Sequence, residues 1–266
     1  MMAGQDWAVR APQTKLERME AYFGGFGFEP HRHDTYAVGR TLAGVHSFRY
    51  RDGMKHSLPG GTIVIHPDEL HDGEAGSADG FHYRILYVEP ALLQEALGGT
   101  TLPFVPDGIS RDQRLYAATQ TLMQDMDCEI EPLEEEDAIY DLAHALAQVS
   151  GIRKRRRTLN YSAAELAREY IHSALDSTIS LDALEAASGR DRWSLSRDFR
   201  ALYGTSPYRY LTMRRLDQVK RQLLLGQPLI DVAFNVGFAD QSHMTRHFKK
   251  AYGISPARWL EMLRRC

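Results

Sequence analysis

The chain has 266 residues, 43% hydrophobic and 25% charged, with a formal net charge of −3. This composition excludes wholesale disorder, and the length fits two domains with ordinary cores. Two distant cysteines, Cys128 and Cys266, exclude a disulfide framework and a thiolate zinc site.

No apolar run nears the roughly 20 residues that span a bilayer. The first residues lack a basic segment followed by an apolar core. A cytoplasmic protein with no membrane partner is therefore expected. The near-neutral total conceals a split. From Gly151 onward there are 21 Lys+Arg against 11 Asp+Glu, a net of +10, while the first 150 residues hold 11 against 24, a net of −13. A basic half joined to an acidic half points to a polyanionic partner for one half only.

In chain order, the first region reads as β-rich. Tyr36 to Thr41, Val45 to Tyr50, Thr62 to His66 and Phe81 to Val88 are short, rich in β-branched and aromatic residues, and separated by Gly, Pro and Asp turns. Such spacing predicts a small sandwich or barrel within residues 1–110. Two amphipathic helices are predicted next, Arg111 to Asp127 and Leu133 to Val149. They form a segment, 111–150, suited to capping the barrel or to pairing with a second copy. Residues 151–161 read as a linker. Its basic run, Arg153 to Arg157, suits a solvated tether or a DNA contact.

Residues 162–266 read as all helical. Ser162 and Glu165 are spaced as a capping box, ahead of a stripe of Ala163, Leu166, Ala167, Tyr170, Ile171, Ala174 and Leu175. Leu181 to Ala187 leads to a turn at Gly189. Asp191 caps the next helix, Gly204 stops it, and Ser206-Pro207 opens a long one ending near Leu225. The same order then recurs: Leu229 to Val236, Gly237, Asp240, a helix to Tyr252, Gly253, and Ser255-Pro256 before a last helix. Seven helices result.

The recurrence is also a sequence repeat. RDFRALYGTSPYRYL, Arg197 to Leu211, matches RHFKKAYGISPARWL, Arg246 to Leu260, at an offset of 49. This is the pattern of two helix-turn-helix units, about 181–202 and 229–251. In such a unit the second helix enters the major groove. Leu195, Phe199 and Leu202, and equally Met244, Phe248 and Ala251, fall on one face and are expected in the core. The opposite faces offer Arg192, Trp193, Ser196, Arg197 and Arg200, then Gln241, Ser242, His243, Arg246, Lys249 and Lys250. Arg and Gln suit base edges, Lys and Arg suit phosphates. Trp193 fits core burial as well as an exposed reading role.

The segment DVAFNVGFADQSHMTRHFKKAYGISPARW, Asp231 to Trp259, resembles the signature of AraC/XylS-type bacterial transcription regulators. The resemblance covers Ala163 to Leu263. It implies base contacts from Trp193, Ser196 and Arg197 in the first unit, and from Gln241, Ser242, His243 and Arg246 in the second. GFEPHRHDTYAVG and PGGTIVIHPDELHDG resemble the two cupin motifs found in the sensor domains of many such regulators. That resemblance implies an α+β multidomain protein: a cupin-like β-barrel that binds a small-molecule effector, followed by the two-unit DNA-binding domain.

In metal cupins, by the same resemblance, His31, His33 and His71 match ligand positions, but the accompanying Glu would fall near Ala37. The three imidazoles read as metal ligands, as polar lining of an effector pocket, or as structural groups. Pocket lining is the expectation, with Tyr36 and Arg84 alongside, and neither a metal nor any other cofactor is assigned. The implied protein is a regulator that binds double-stranded DNA as a homodimer and has RNA polymerase as a further partner; it is not an enzyme. One competitor is a metal-dependent cupin enzyme with an appended DNA-binding domain. Another is a regulator that answers a protein partner.

Overall fold

The structure is a computed structural model and describes residues 6–12, 14–98, 100–150, 159–177 and 179–263. The basic run Arg153 to Arg157, and Cys266, lie outside the described residues. Among the described residues, ten strands occupy the N-terminal half: β1 Trp7–Arg10, β2 Glu17–Phe23, β3 Phe26–His31, β4 Tyr36–Gly44, β5 His46–Tyr50, β6 Gly53–Ser57, β7 Thr62–Ile65, β8 His71–Ala75, β9 Phe81–Val88 and β10 Ile109–Ser110. They form two antiparallel sheets, one ordered β1-β2-β9-β4-β7-β10 and the other β3-β8-β5-β6. The expected barrel is thus realised as two facing sheets. No strand pairing joins them among the described residues.

The larger sheet is buried on both faces, which explains the near-continuous burial along β4 and β7. Successive side chains point to opposite faces. Ala37, Ile63, Ile65, Phe81, Tyr83 and Ile85 point inward to Phe48 and Tyr50 of the smaller sheet. Tyr36, Val38, Val64, Leu86 and Val88 point outward into a second core. That core is completed by residues of α1 Pro90–Leu97, α2 Gln113–Ala118, α3 Gln120–Met123 and α4 Pro132–Val149. The predicted helix Arg111 to Asp127 is therefore two short pieces. At the break, the buried Arg40 guanidinium bonds the Tyr116 carbonyl, the Thr119 hydroxyl and, at 2.8 Å, the Gln120 side chain.

The C-terminal half contains the seven predicted helices: α5 Tyr161–Ser173, α6 Leu181–Ser188, α7 Arg192–Tyr203, α8 Pro207–Leu224, α9 Leu229–Asn235, α10 Gln241–Tyr252 and α11 Pro256–Leu263. The caps fall where the sequence puts them. Asp191, Ser206 and Asp240 accept from the amides of Ser194, Arg209 and His243. The start of α5 differs. Asn160, not Ser162, accepts from Ala163, while Glu165 pairs with Arg168 and accepts from Tyr203. The α5 stripe is rotated accordingly, with Ala164 buried and Leu166 exposed.

Each unit has its own core, and α8 serves both. Tyr210 and Leu211 join Leu195, Phe199 and Leu202 in one. Met213, Leu216, Val219 and Leu223 join Met244, Phe248 and Trp259 in the other. Phe199 and Phe248, equivalent in the repeat, are both fully buried, and truncating either to Ala should cost about 3–5 kcal/mol.

Candidate functional site

A cavity of about 100 Å³ lies between the inner face of the sensor sheets and the C-terminal domain. Phe23, Phe28, Phe48 and Ile65 form its sensor wall; Met213, Trp259 and Met262 close it from α8 and α11. His31, His33 and His71 lie at this cavity, as expected. Their rings are 4.2 to 6.0 Å apart between centroids. His31 Nδ1 is 2.8 Å from the Glu29 carbonyl, His33 Nδ1 2.9 Å from that of Thr35, and His71 Nδ1 3.0 Å from that of Glu69. Burial, reinforced by the neighbouring His71, holds the His31 and His33 imidazoles well below their usual range; burial alone brings His71 down to about 4. The rings are therefore neutral at neutral pH. One nitrogen from each lies within 4.8 Å of the others, so the cluster has the donor type and spacing to take a metal ion.

Tyr36 and Arg84 are not part of this cavity, a correction to the sequence reading. Each is one residue out of phase with the inner face, and a single step along a strand reverses the side chain. Tyr36 points to the helical side, where its hydroxyl donates to the Pro103 carbonyl at 2.6 Å. Arg84 pairs with Glu20 at 2.6 Å and donates to the Met123 carbonyl at 2.7 Å. The inner positions beside them are Ala37, Tyr83 and Ile85.

A charged cluster at the domain junction had no sequence signal. Arg214 of α8 is buried and contacts Asp34 at 3.2 Å, Asp217 at 3.3 Å and the Glu89 carboxylate. Lys220, one and a half turns further on, pairs with Glu17. Burial pushes the Asp34 carboxyl up to about 7 despite the opposing pull of Arg214. Apart from Asp217 on the same helix, the partners lie more than a hundred positions away and leave no local pattern, so only the fold brings them together.

On α7, Trp193 is 80% exposed, which decides against core burial for it. Arg197 is exposed and Ser196 half-buried, while Arg192 pairs with Asp182 and Glu185 at 2.8 and 2.9 Å. On α10, Gln241, Ser242 and Arg246 are exposed. His243 instead lies 2.9 Å from His247, nitrogen to nitrogen. Lys249 reaches Glu29 of the sensor at 2.8 Å, and the Lys250 carbonyl accepts from the Arg32 amide.

A sheet domain with an internal cavity, joined to paired helix-turn-helix units, defines a ligand-responsive DNA-binding regulator. Residues 14–143 match the AraC-like ligand binding domain, and residues 184–262 match a helix-turn-helix domain. The chain is 26% identical over 223 residues to the uncharacterized HTH-type transcriptional regulator YbfI of Bacillus subtilis (strain 168), covering 82% of this chain and 81% of that one. It is 26% identical over 250 residues to the HTH-type transcriptional activator RhaS of Yersinia pestis (strain Pestoides F), covering 88% and 85%. Among solved structures, ToxT from Vibrio cholerae shares the whole two-domain fold, with a TM-score of 0.64 at 11% identity over 97% of this chain and 98% of that one. The chain belongs to the AraC-type transcription regulators, with a ligand-binding N-terminal domain and a DNA-binding C-terminal domain. The relatives are regulators, and no described helix is long and apolar enough to cross a membrane.

Proposed function

We propose that the effector binds in the cavity between the two domains and acts by changing how the DNA-binding domain is seated on the sensor. The shared lining carries this reading: α8 and α11 supply part of the wall. A volume of about 100 Å³ is below the roughly 300 Å³ at which ligand pockets begin. In this reading a molecule of more than a few atoms widens the cavity by displacing the C-terminal domain. The seated and displaced arrangements then differ in effector affinity, which is what a population shift requires. The lining is largely apolar, and its cations Arg214 and Lys220 are paired with Asp34, Asp217 and Glu17, which line it too, so it suits a largely apolar molecule. One ToxT structure contains an unsaturated fatty acid, and it shares the fold at a TM-score of 0.63 and 10% identity.

In this reading Trp193, Ser196 and Arg197 read bases in the first unit, and Gln241, Ser242 and Arg246 in the second, with Lys249 and Lys250 on phosphates. His243 is a weaker candidate because its ring pairs with His247. The protein works in the cytoplasm as a homodimer, without catalysis, and engages RNA polymerase from its operator. Leu133 and Tyr140 stand 72% and 54% exposed on α4 and suit a dimer contact.

The test is a footprint of the protein on the DNA flanking its own gene. Protection of half-sites about one helical turn apart, roughly 34 Å, is expected. It should shift to higher protein concentration in Arg246→Ala and respond to unsaturated fatty acids. Protection of DNA without regard to sequence would overturn the reading.

A further inference from the structure

Two polar side chains on the inner face of the sensor have hydrogen-bonding groups that the fold does not use. On β5, His46, Phe48 and Tyr50 alternate onto that face; on β9, Phe81, Tyr83 and Ile85 do the same. His46 and Tyr83 both line the cavity and are 7% and 1% exposed. The His46 ring lies flat on Phe81, 4.2 Å away at 4°, and 5.3 Å from the Tyr83 ring. Both His46 ring nitrogens and the Tyr83 hydroxyl are buried, and none has a hydrogen-bond partner among the described residues. Gly73 faces the imidazole edge. A Cβ there would stand 3.1 Å from His46 Nε2, so glycine keeps that edge clear.

Buried polar groups are nearly always paired, and each one left unpaired is costly. Two on neighbouring rings at one cavity mark a place for a ligand's polar atom. Their protonation states give its chemistry. Burial, helped by His71, brings the His46 pKa down to about 3, and burial holds the Tyr83 phenol well above its usual range. At neutral pH the pair is therefore an uncharged imidazole, with one lone pair and one N–H, beside an intact phenol O–H. The complement is an uncharged group that both donates and accepts. A carboxylate only accepts, and the cations that line the cavity, Arg214 and Lys220, are already paired with Asp34, Asp217 and Glu17.

We propose that His46 and Tyr83 are the polar anchor of the effector cavity and select a largely apolar molecule with an uncharged hydroxyl group, either an alcohol or an undissociated carboxylic acid. The proposal rests on the cavity being the effector site and names what that site recognises. The effector O–H donates to the imidazole lone pair, and its oxygen accepts from the Tyr83 hydroxyl. Phe23 and Phe48, which line the same cavity, cover the adjoining apolar part.

The experiment titrates the full chain, by calorimetry, with an unsaturated fatty alcohol, the fatty acid of the same chain and the methyl ester of that acid. Each titration is run at mildly acid, neutral and mildly alkaline pH. The alcohol should bind with an affinity that does not change with pH. The acid should weaken by about tenfold per pH unit above its own pKa, because only its neutral form is taken. Tyr83→Phe and His46→Phe should each weaken the alcohol by about tenfold, the loss of one buried hydrogen bond. His46→Phe should leave the ester unchanged, since the ester has no O–H to donate. Without ligand, Tyr83→Phe should keep or raise the melting temperature, because it deletes a buried hydroxyl that bonds nothing. That isosteric variant keeps the test decisive if His46→Phe fails to fold. An alcohol affinity unchanged in both variants, an acid bound more tightly as pH rises, or a lowered melting temperature in ligand-free Tyr83→Phe overturns the anchor and leaves the cavity reading. If no probe binds and none alters the operator footprint, the cavity reading falls with it.

Discussion

The two helix-turn-helix units share a sequence repeat and a backbone plan, yet their charged groups are spent differently. In the first unit they are bound internally: Arg192 by Asp182 and Glu185, Arg197 beside Ser194, Arg200 on Ser196. In the second, Arg246 makes no ion pair among the described residues, and Lys249 is held by the sensor through Glu29. Other repeat-equivalent residues do the same work in both units. Gly204 and Gly253 each end a reading helix at positive φ and press on the sensor, on Pro67 and His31 respectively. Arg209 and Arg258 each reach a sensor aspartate, Asp68 at 2.7 Å and Asp6 at 3.1 Å. The repeat therefore supplies the docking contacts twice, and the second unit is left with the less internally paired arginine on its exposed face.

The largest expected effect falls where the units are joined. Arg214→Ala strips the counter-charge from Asp34, Asp217 and Glu89 at a buried junction. Removing one partner of a buried pair typically costs about 3–5 kcal/mol. Urea denaturation should show a loss of that size. A loss under about 1 kcal/mol would mean that the repeated Gly and Arg contacts, not α8, hold the domains together.

Next in size is the asymmetry of reading. Arg246→Ala should weaken operator binding by about 1–3 kcal/mol and relax preference at one base pair. Arg197→Ala should cost less, because Asp198 at 3.8 Å already offsets part of its charge. Equal losses on matched and mismatched sites would show that both arginines contact only phosphate.

A smaller effect concerns the first unit alone. His66 precedes Pro67, the seat of Gly204. Its Nε2 accepts from the Val105 amide at 2.9 Å, and its Nδ1 meets the Tyr50 hydroxyl at 2.5 Å. Burial, helped by Arg51, brings its pKa down to about 3. The native state thus binds this proton less tightly than the unfolded chain. The stability His66 supplies is complete above about pH 6.5 and falls as pH drops towards about 3. Melting temperature should decline over that window, and less steeply in His66→Gln. Parallel declines would remove His66 as the cause.

The helical half was the more legible because its signals are local. Caps, stop glycines and the period of 3.6 lie within a few residues of what they determine, and all seven helices fall where the sequence places them. The sensor was legible as strands and as a His cluster, but Tyr36 and Arg84 were assigned to the wrong face. A strand whose two faces are both buried loses the alternation that marks inside from outside. Helix α1 and the break at Thr119 depend on tertiary partners, the latter on Arg40 some 80 positions away. The junction of Asp34, Glu89 and Arg214 is likewise written only in three dimensions.

The smallest predicted effect bears most directly on how the units differ. Lys249 and Glu29 are each about half exposed, 50% and 49%, so their pair contributes only about 0–1 kcal/mol. Glu29→Gln should leave stability almost unchanged while releasing the lysine next to the reading face. If Lys249 then reaches a phosphate, the slope of log K against log salt should steepen by about 0.9, the value for one added phosphate contact on duplex DNA. Affinity should rise most at low salt. Lys249→Ala in the same background should return the slope to its starting value, because only the lysine was released. An unchanged slope in Glu29→Gln would place Lys249 away from the DNA backbone. The sensor's hold on α10 would then act through the Gly253 and Lys250 carbonyls, which are backbone contacts that no side-chain change can release.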